Sequence, residues 1–241
     1  HDKAGRFIHG LTSADVKVLE DGVPQDVSFF REAAGGAEKI PLSVVLVLDA
    51  SGSMRENLPL LQQAANSFIQ RMQDVDQALV MQFNNTVKAS AEFSSDPDRL
   101  EDFVDSLQAW GGTSLYDAVH YGLERVKDQA GRKAVIVFSD GADTTSSLRE
   151  DDVIAFARSV EATVYSVGIP GGGPGGSARA FLKRVAAETG GDHFFPDRVG
   201  DLIKVFNAIS EELHNHYALA YSPKRDPDGA WRTFVNDALA G

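Results

Sequence analysis

The sequence predicts an α/β protein with a doubly wound, mostly parallel sheet, one antiparallel edge strand and a small β-unit formed by the two chain ends. Three observations support this prediction. Short apolar runs, typical of strands buried on both faces, alternate with amphipathic helical patterns. One such run leads into a hairpin signal, and both ends of the chain carry strand-like alternation. We expect the main α/β domain to span residues 40–215.

Buried parallel strands are predicted at three uninterrupted apolar runs, residues 42–48, 134–138 and 163–167. A fourth run, residues 78–83, passes through Asn84-Asn85 into residues 86–91, which indicates a hairpin with an antiparallel edge strand. Apolar residues spaced three and four apart predict helices between the strands. These helices are expected at residues 57–72, 98–107, 115–127, 151–160, 178–188 and 200–215.

The chain ends have a different pattern. Residues 1–36 form a predicted N-terminal β segment, with strands near 16–19 and 27–30, and residues 32–39 are expected to be a linker. Residues 216–241 form a C-terminal β segment, with strands at 217–221 and 231–235 flanking a turn that contains three Pro or Gly residues. An isolated hairpin is marginally stable in water, so we expect the two segments to pair.

Composition excludes several classes of protein. Hydrophobic residues make up 43% and charged residues 24% of the 241 residues, as in ordinary globular proteins. A formal charge of −12 and the lack of a basic run argue against nucleic-acid binding. No apolar run approaches the roughly 20 residues of a membrane helix. No signal peptide is visible, and a chain that begins with His1 is expected to be processed or excised from a longer protein.

Polar residues follow the predicted strands where a ligand site is expected. Asp49, Ser51 and Ser53 come directly after the run 42–48, Thr113 precedes a helix, and Asp140 follows the run 134–138. Open α/β sheets bind ligands at the carboxyl ends of their strands. Oxygen donors without His or Cys favour Mg²⁺, Mn²⁺ or Ca²⁺ over Zn²⁺. With only two carboxylates, the metal would remain able to accept a carboxylate from a partner protein.

These residues resemble a known family motif. Asp49-x-Ser51-x-Ser53, Thr113 within Gly-Gly-Thr-Ser, and Asp140 within Ser-Asp-Gly resemble the complete metal-ion-dependent adhesion site of von Willebrand factor A domains. The resemblance implies that the two Ser and the Thr bind the metal directly and that the two Asp act directly or through water. It also implies that an Asp or Glu of the partner completes the coordination.

The flanking segments resemble a bacterial group of such proteins, the acidobacterial-type von Willebrand A-related proteins. The resemblance lies in residues 10–16, 20–22 and 217–223. It implies an extracytoplasmic location, whether periplasmic, secreted or on the cell surface.

Other functions remain as alternatives to a metal-dependent protein-binding module without catalytic activity. A metal-assisted phosphohydrolase could use Asp49 as its nucleophile, but Lys133 lies at the wrong end of its strand and position 51 is a Ser where a second acid is expected. A scaffold whose metal is purely structural is a further alternative. No GxSxG motif supports serine hydrolysis.

Several weaker signals are interpreted as structural. Residues 171–176 match GxGxxG, but they are nearly all Gly and are expected to form a flexible loop. His214-x-His216 is expected to be solvated or packed, and residues 143–145 are expected to form a solvated turn rather than to support metal ligands. Asp117 is interpreted as a first-turn helix acid.

Overall fold

The computed structural model describes residues 8–32, 40–170, 176–215, 217–226, 228–230 and 232–238. The chain divides into two compact units. One unit is residues 40–210, and the other combines the two chain ends, up to residue 39 and from residue 211 onward. No helix in the described ranges is long and apolar enough to cross a membrane.

Eleven strands and six helices are defined in the described residues. The strands are β1 (Val16–Glu20), β2 (Val23–Gln25), β3 (Val27–Glu32), β4 (Leu42–Asp49), β5 (Gln77–Phe83), β6 (Val87–Ala89), β7 (Arg132–Ser139), β8 (Thr163–Gly168), β9 (His193–Phe194), β10 (Tyr217–Tyr221) and β11 (Phe234–Ala238). The helices are α1 (Leu58–Ile69), α2 (Pro97–Asp105), α3 (Leu115–Val126), α4 (Glu150–Ser159), α5 (Gly176–Glu188) and α6 (Leu202–His214).

The unit of residues 40–210 is built on a six-stranded sheet in the order β6-β5-β4-β7-β8-β9. Neighbouring strands are parallel except for β6, which runs antiparallel to β5 at one edge. The predicted α/β fold with one antiparallel edge strand is therefore confirmed. The two-residue strand β9 was not predicted, because two residues are too short to carry a periodic pattern.

Strand β4 lies at the centre of this sheet and is buried along its whole length. Its register places Val45 beside Leu79 of β5 and Val135 of β7. A strand covered on both faces has no polar side, which explains the unbroken apolar run in its sequence.

Helices cover both faces of the sheet. On one face, Val45 and Val137 belong to a buried cluster that includes side chains of α3, α4 and α5. On the other face, Phe138 of β7 stacks on Phe206 of α6 with ring centroids 4.1 Å apart, and Phe206 also contacts Phe68 of α1 at 5.9 Å. The two buried layers hold the carboxyl ends of the strands in fixed positions.

Helix ends differ from the predictions by a few residues. The segment expected as one helix over 57–72 begins only at Leu58, because a 3-10 helix, Gly52–Glu56, precedes it, and it ends at Ile69. Helix α2 begins one residue earlier than expected, at Pro97, where the Asp96 side chain accepts a hydrogen bond of 3.1 Å from the Asp98 amide. Pro at the first turn and an Asp cap are common at helix starts.

The chain ends form two small antiparallel sheets, β11-β1-β2 and β10-β3. Strands from both termini thus pair, with Val18 opposite Asn236 and Leu219 opposite Phe30. Strands β10 and β11 lie on either side of the segment that contains the predicted turn, and in the described residues each pairs with a different N-terminal strand rather than with the other. The last strand also begins at Phe234 rather than at residue 231.

The segment expected as a linker is only partly described. Glu32 belongs to strand β3, whereas residues 33–39 lie outside the described residues.

Candidate metal site

The candidate site begins where β4 ends. Asp49 is the last residue of β4 and is fully buried. Its Oδ1 atom accepts a hydrogen bond of 2.8 Å from the Ser51 amide, and its Oδ2 atom accepts one of 2.6 Å from the Ser139 hydroxyl. The first bond turns the chain sharply after the strand, as Asp side chains commonly do in loops. The second ties the ends of the neighbouring strands β4 and β7 together.

Two serines connect Asp49 to the second acid. The Oγ atoms of Ser51 and Ser53 lie 3.1 Å apart, and the Ser53 hydroxyl donates a hydrogen bond of 2.8 Å to Oδ1 of Asp140. Asp140 directly follows β7, the strand next to β4. Four of the five predicted residues therefore share one hydrogen-bonded cluster at the carboxyl edge of the sheet.

Thr113 reaches the same place from the loop before α3. A Cβ atom built on Gly141 would lie 3.8 Å from the Thr113 Oγ1 atom and 4.0 Å from the Ser53 Oγ atom, so both hydroxyls border this glycine. The Thr113 amide donates a hydrogen bond of 2.8 Å to the hydroxyl of Thr144, which fixes the loop. The fold thus brings together all five residues predicted from the sequence.

Burial controls the ionisation of the two acids. Burial raises the pKa of the Asp49 carboxyl to about 6, against hydrogen bonds from Ser139 and Ser51 that lower it, and the nearby Asp140 carboxylate raises it further. Burial also raises the pKa of Asp140, against the hydrogen bond from Ser53. In the described residues, neither carboxylate has a positively charged neighbour that lowers its pKa. A cation beside the two acids would offset the cost of holding their charges in this buried place.

The donor atoms match a hard divalent cation. The Oδ2 atom of Asp140 is buried and has no hydrogen-bond partner in the described chain. Hydroxyls of Ser51, Ser53 and Thr113 supply neutral oxygen donors beside it. The described residues contain no group of three or more His, Cys, Asp or Glu arranged to hold a metal, so a cation here would depend on the hydroxyls. Such all-oxygen donors suit Mg²⁺, Mn²⁺ or Ca²⁺.

Residues that support the site were partly missed by sequence reasoning. Ser139 was noted only as part of the Ser-Asp-Gly segment, yet it donates to Asp49. Residues 143–145 were expected to form a solvated turn, and Thr144 and Thr145 are exposed; the Thr144 hydroxyl in addition accepts a hydrogen bond from the Thr113 amide. No local signal in the sequence links positions 31 residues apart. Asp117 accepts hydrogen bonds of 2.9 Å from the amides of Ser147 and Leu148, so it holds the neighbouring loop.

The other candidates do not join this cluster. Lys133 is the second residue of β7, and its Nζ atom donates a hydrogen bond of 3.2 Å to the Lys127 carbonyl. It lies at the opposite end of the strand from Asp140, as predicted. His216 and the glycine run of residues 171–175 lie outside the described residues.

The fold and the site define a doubly wound α/β domain with a cluster of oxygen donors at the carboxyl edge of its sheet. The sequence profile of the von Willebrand factor type A domain matches residues 43–208, and the chain belongs to this family. No curated protein sequence matches the chain.

Solved structures share the fold at low sequence identity. A von Willebrand factor type A protein from Catenulispora acidiphila aligns with a TM-score of 0.64 and 18% identity over 82% of this chain and 49% of its own. The von Willebrand factor domain of the type V pilus tip protein Mfa5 from Porphyromonas gingivalis aligns with a TM-score of 0.63 and 13% identity, over 73% of this chain and 96% of its own. A mutant of the PilB minor pilin from Streptococcus sanguinis aligns with a TM-score of 0.62 and 15% identity, over 75% of this chain and 63% of its own.

Proposed function

We propose that this domain is a non-catalytic binding module that captures a carboxylate of a partner protein through a divalent cation. The cation is Mg²⁺ or Mn²⁺, with Ca²⁺ as the next candidate. The observation that carries the proposal is the buried Oδ2 atom of Asp140, which has no partner in the described chain and lies beside neutral hydroxyls. An unsatisfied buried carboxylate oxygen is costly unless something binds it.

Five residues would hold the cation. Ser51, Ser53 and Thr113 are proposed as direct ligands, and Asp49 and Asp140 as ligands that bind directly or through water. The bound cation would supply an electrophilic centre for the carboxylate of a partner's Asp or Glu. Because only two of the five residues carry charge, the cation keeps part of its positive charge for that carboxylate.

The exposure of the site favours an open position on the cation over a closed structural site. Ser53 is exposed to solvent, whereas Asp49 is fully buried and Ser51 and Thr113 are nearly so. A cation in this cluster would therefore be approached from the Ser53 side. This accessibility supports ligand capture over a purely structural metal.

Hydrolysis is less well supported than binding. Both carboxylate oxygens of Asp49 accept hydrogen bonds and the side chain is fully buried, which leaves it poorly placed to attack a phosphorus atom. Lys133, the basic residue considered for the leaving group, lies at the other end of β7. A phosphohydrolase that uses Asp49 is therefore the weaker candidate.

Adhesion in an extracytoplasmic setting is the biological role that we propose. Two structures that share this fold come from a pilus tip protein and a minor pilin. The role is proposed because such proteins operate outside the cytoplasm and this site suits the capture of a protein carboxylate.

Titration calorimetry with Mg²⁺ and Mn²⁺ tests the proposed site. The wild-type protein is expected to bind one cation, and Asp49→Ala and Asp140→Ala are expected to lose that binding. Asp102→Ala, which removes an exposed acid on α2, serves as the matched control and is expected to bind as the wild type does. Circular dichroism establishes that each variant is folded. Equal cation binding by the wild type and both site variants would refute the site.

A further inference from the structure

An exposed tryptophan lies in the loop that carries Thr113. Trp110 is 52% exposed, the largest exposed fraction among the big apolar side chains of the described residues. A tryptophan buries more apolar area than almost any other side chain, so half of that potential is unused in the folded unit. Core packing therefore accounts for only part of this side chain, and the exposed part is free to contact a partner.

The backbone of Trp110 is fixed directly to the proposed metal loop. The Trp110 amide donates a hydrogen bond of 3.0 Å to the carbonyl of Ala50, the residue between Asp49 and Ser51. The Gly52 amide donates one of 3.0 Å to the carbonyl of Gly111. Backbone hydrogen bonds thus join the loop that carries Trp110 and Thr113 to the loop that carries Ser51 and Ser53.

A third loop supports the same segment. The Asn85 side-chain oxygen accepts a hydrogen bond from the Gly112 amide, and the Asn84 carbonyl accepts one of 2.7 Å from the Ser114 amide. Gly111 has a φ of +77°, and a Cβ atom there would lie 2.1 Å from the Asn85 oxygen. Only glycine suits this close approach. Hydrogen bonds therefore hold this loop in the free chain, and such pre-organisation lowers the entropic cost of binding.

We propose that Trp110 contacts an apolar residue that flanks the captured carboxylate, so that the partner motif is an Asp or Glu beside an aromatic or large aliphatic residue. The inference rests on the proposed function. A metal–carboxylate bond alone cannot distinguish one acidic residue from another, so neighbouring contacts must supply selectivity. Tryptophan is among the side chains that most often dominate the binding energy of protein interfaces.

Distance and charge restrict where that apolar residue lies. The amide of Trp110 bonds a carbonyl within the metal loop, and an extended peptide advances about 3.3 Å per residue. A residue one or two positions from the acid is therefore the expected contact. The chain's formal charge of −12 disfavours a second acidic residue at that position, because the excess negative charge would repel an acid that no cation neutralises.

Synthetic nonapeptides with a single central Glu provide the test. The flanking residues are Phe in one peptide and Ala in a second, and a third peptide carries central Gln beside Phe. Binding in Mg²⁺ is followed by fluorescence in a Trp231→Phe background, in which Trp110 is the only tryptophan. Trp110→Ala is followed by calorimetry, and Phe29→Ala, which removes an aromatic side chain of 49% exposure in the other unit, is the matched control.

The Phe-flanked Glu peptide is expected to bind about 30-fold more tightly than the Ala-flanked peptide, as for an interface hot spot. Trp110→Ala should remove this preference and leave the weaker, Mg²⁺-dependent binding of the Ala-flanked peptide, whereas Phe29→Ala should retain the preference. Equal binding of both Glu peptides by the wild type, or a preference that survives Trp110→Ala, would overturn the role of Trp110 but leave the proposed function intact. Failure of every Glu peptide to bind, or equal binding of the Gln peptide, would overturn the proposed function and this inference with it.

Discussion

Replacing Asp49 with Asn is expected to stabilise the metal-free protein at neutral pH. Burial raises the pKa of the Asp49 carboxyl to about 6 in the folded chain, above its ordinary value of 3.8. The folded state therefore binds this proton more tightly than the unfolded state. The resulting stabilisation is fully present below about pH 4 and is lost as the pH rises through about 6. At neutral pH the wild-type protein holds a buried, ionised carboxylate.

The size of the effect follows from the shift in pKa. A shift of about two units corresponds to about 3 kcal/mol of unfolding free energy. For a chain of this size that is a difference of about 6–12 °C in melting temperature. Asn can keep both hydrogen bonds, because its oxygen can accept from the Ser51 amide and its NH₂ group can donate to the Ser139 hydroxyl. The variant thus removes the charge with little change in shape.

Thermal unfolding in chelator, with both proteins measured from about pH 4 to pH 7.5, tests this prediction. Asp49→Asn should melt above the wild type at neutral pH, and the difference should disappear near pH 4. Asp102→Asn, an exposed acid on α2, should melt as the wild type does throughout. A variant that is less stable than the wild type at neutral pH, or a difference that does not change with pH, would refute the argument from burial.

Three further results are expected. Mg²⁺ at about one hundred times its dissociation constant should stabilise the wild type by about 2.7 kcal/mol but should leave the melting temperature of Asp140→Ala unchanged. Ser139→Ala removes the hydroxyl that donates to Asp49, and calorimetry should find Mg²⁺ affinity about 10-fold weaker or more; unchanged affinity would contradict the positioning role. Gly122→Ala places a Cβ atom 3.0 Å from the Val47 side chain, and overpacking of about 1–3 kcal/mol would outweigh a gain of about 1 kcal/mol in helix propensity. Chemical denaturation should therefore detect a net loss of up to about 2 kcal/mol, and a variant more stable than the wild type would contradict the tight packing of α3 on the sheet.

The central sheet was predictable because burial on both faces leaves a direct trace in the sequence. The apolar run that became β4 has no polar alternation, and each such run is followed by a helical pattern. Strand β9 and the pairing of β10 with β3 leave no such trace. The partner of β10 lies almost two hundred residues away in the chain, and strand-like alternation alone does not predict which strand lies beside which.

The candidate site was predictable for a related reason. Asp49, Ser51 and Ser53 are local in the sequence, and the rule for parallel sheets brings Asp140 to the same edge. The hydrogen bond from Ser139 to Asp49 joins residues 90 positions apart, and the support of Thr113 by Thr144 depends on the path of a loop. The exposure of Trp110 is likewise a property of the folded loop, because Trp is buried in most contexts.

The most direct test of the central claim is to measure whether a cation in this site keeps a position that a carboxylate can occupy. Bound Mn²⁺ enhances the relaxation of water protons when it carries exchangeable water. We predict such enhancement with the wild-type protein and expect the Glu peptide, but not the matching Gln peptide, to reduce it. Bound Mn²⁺ without exchangeable water, or an equal response to both peptides, would contradict carboxylate capture and would favour a closed structural site.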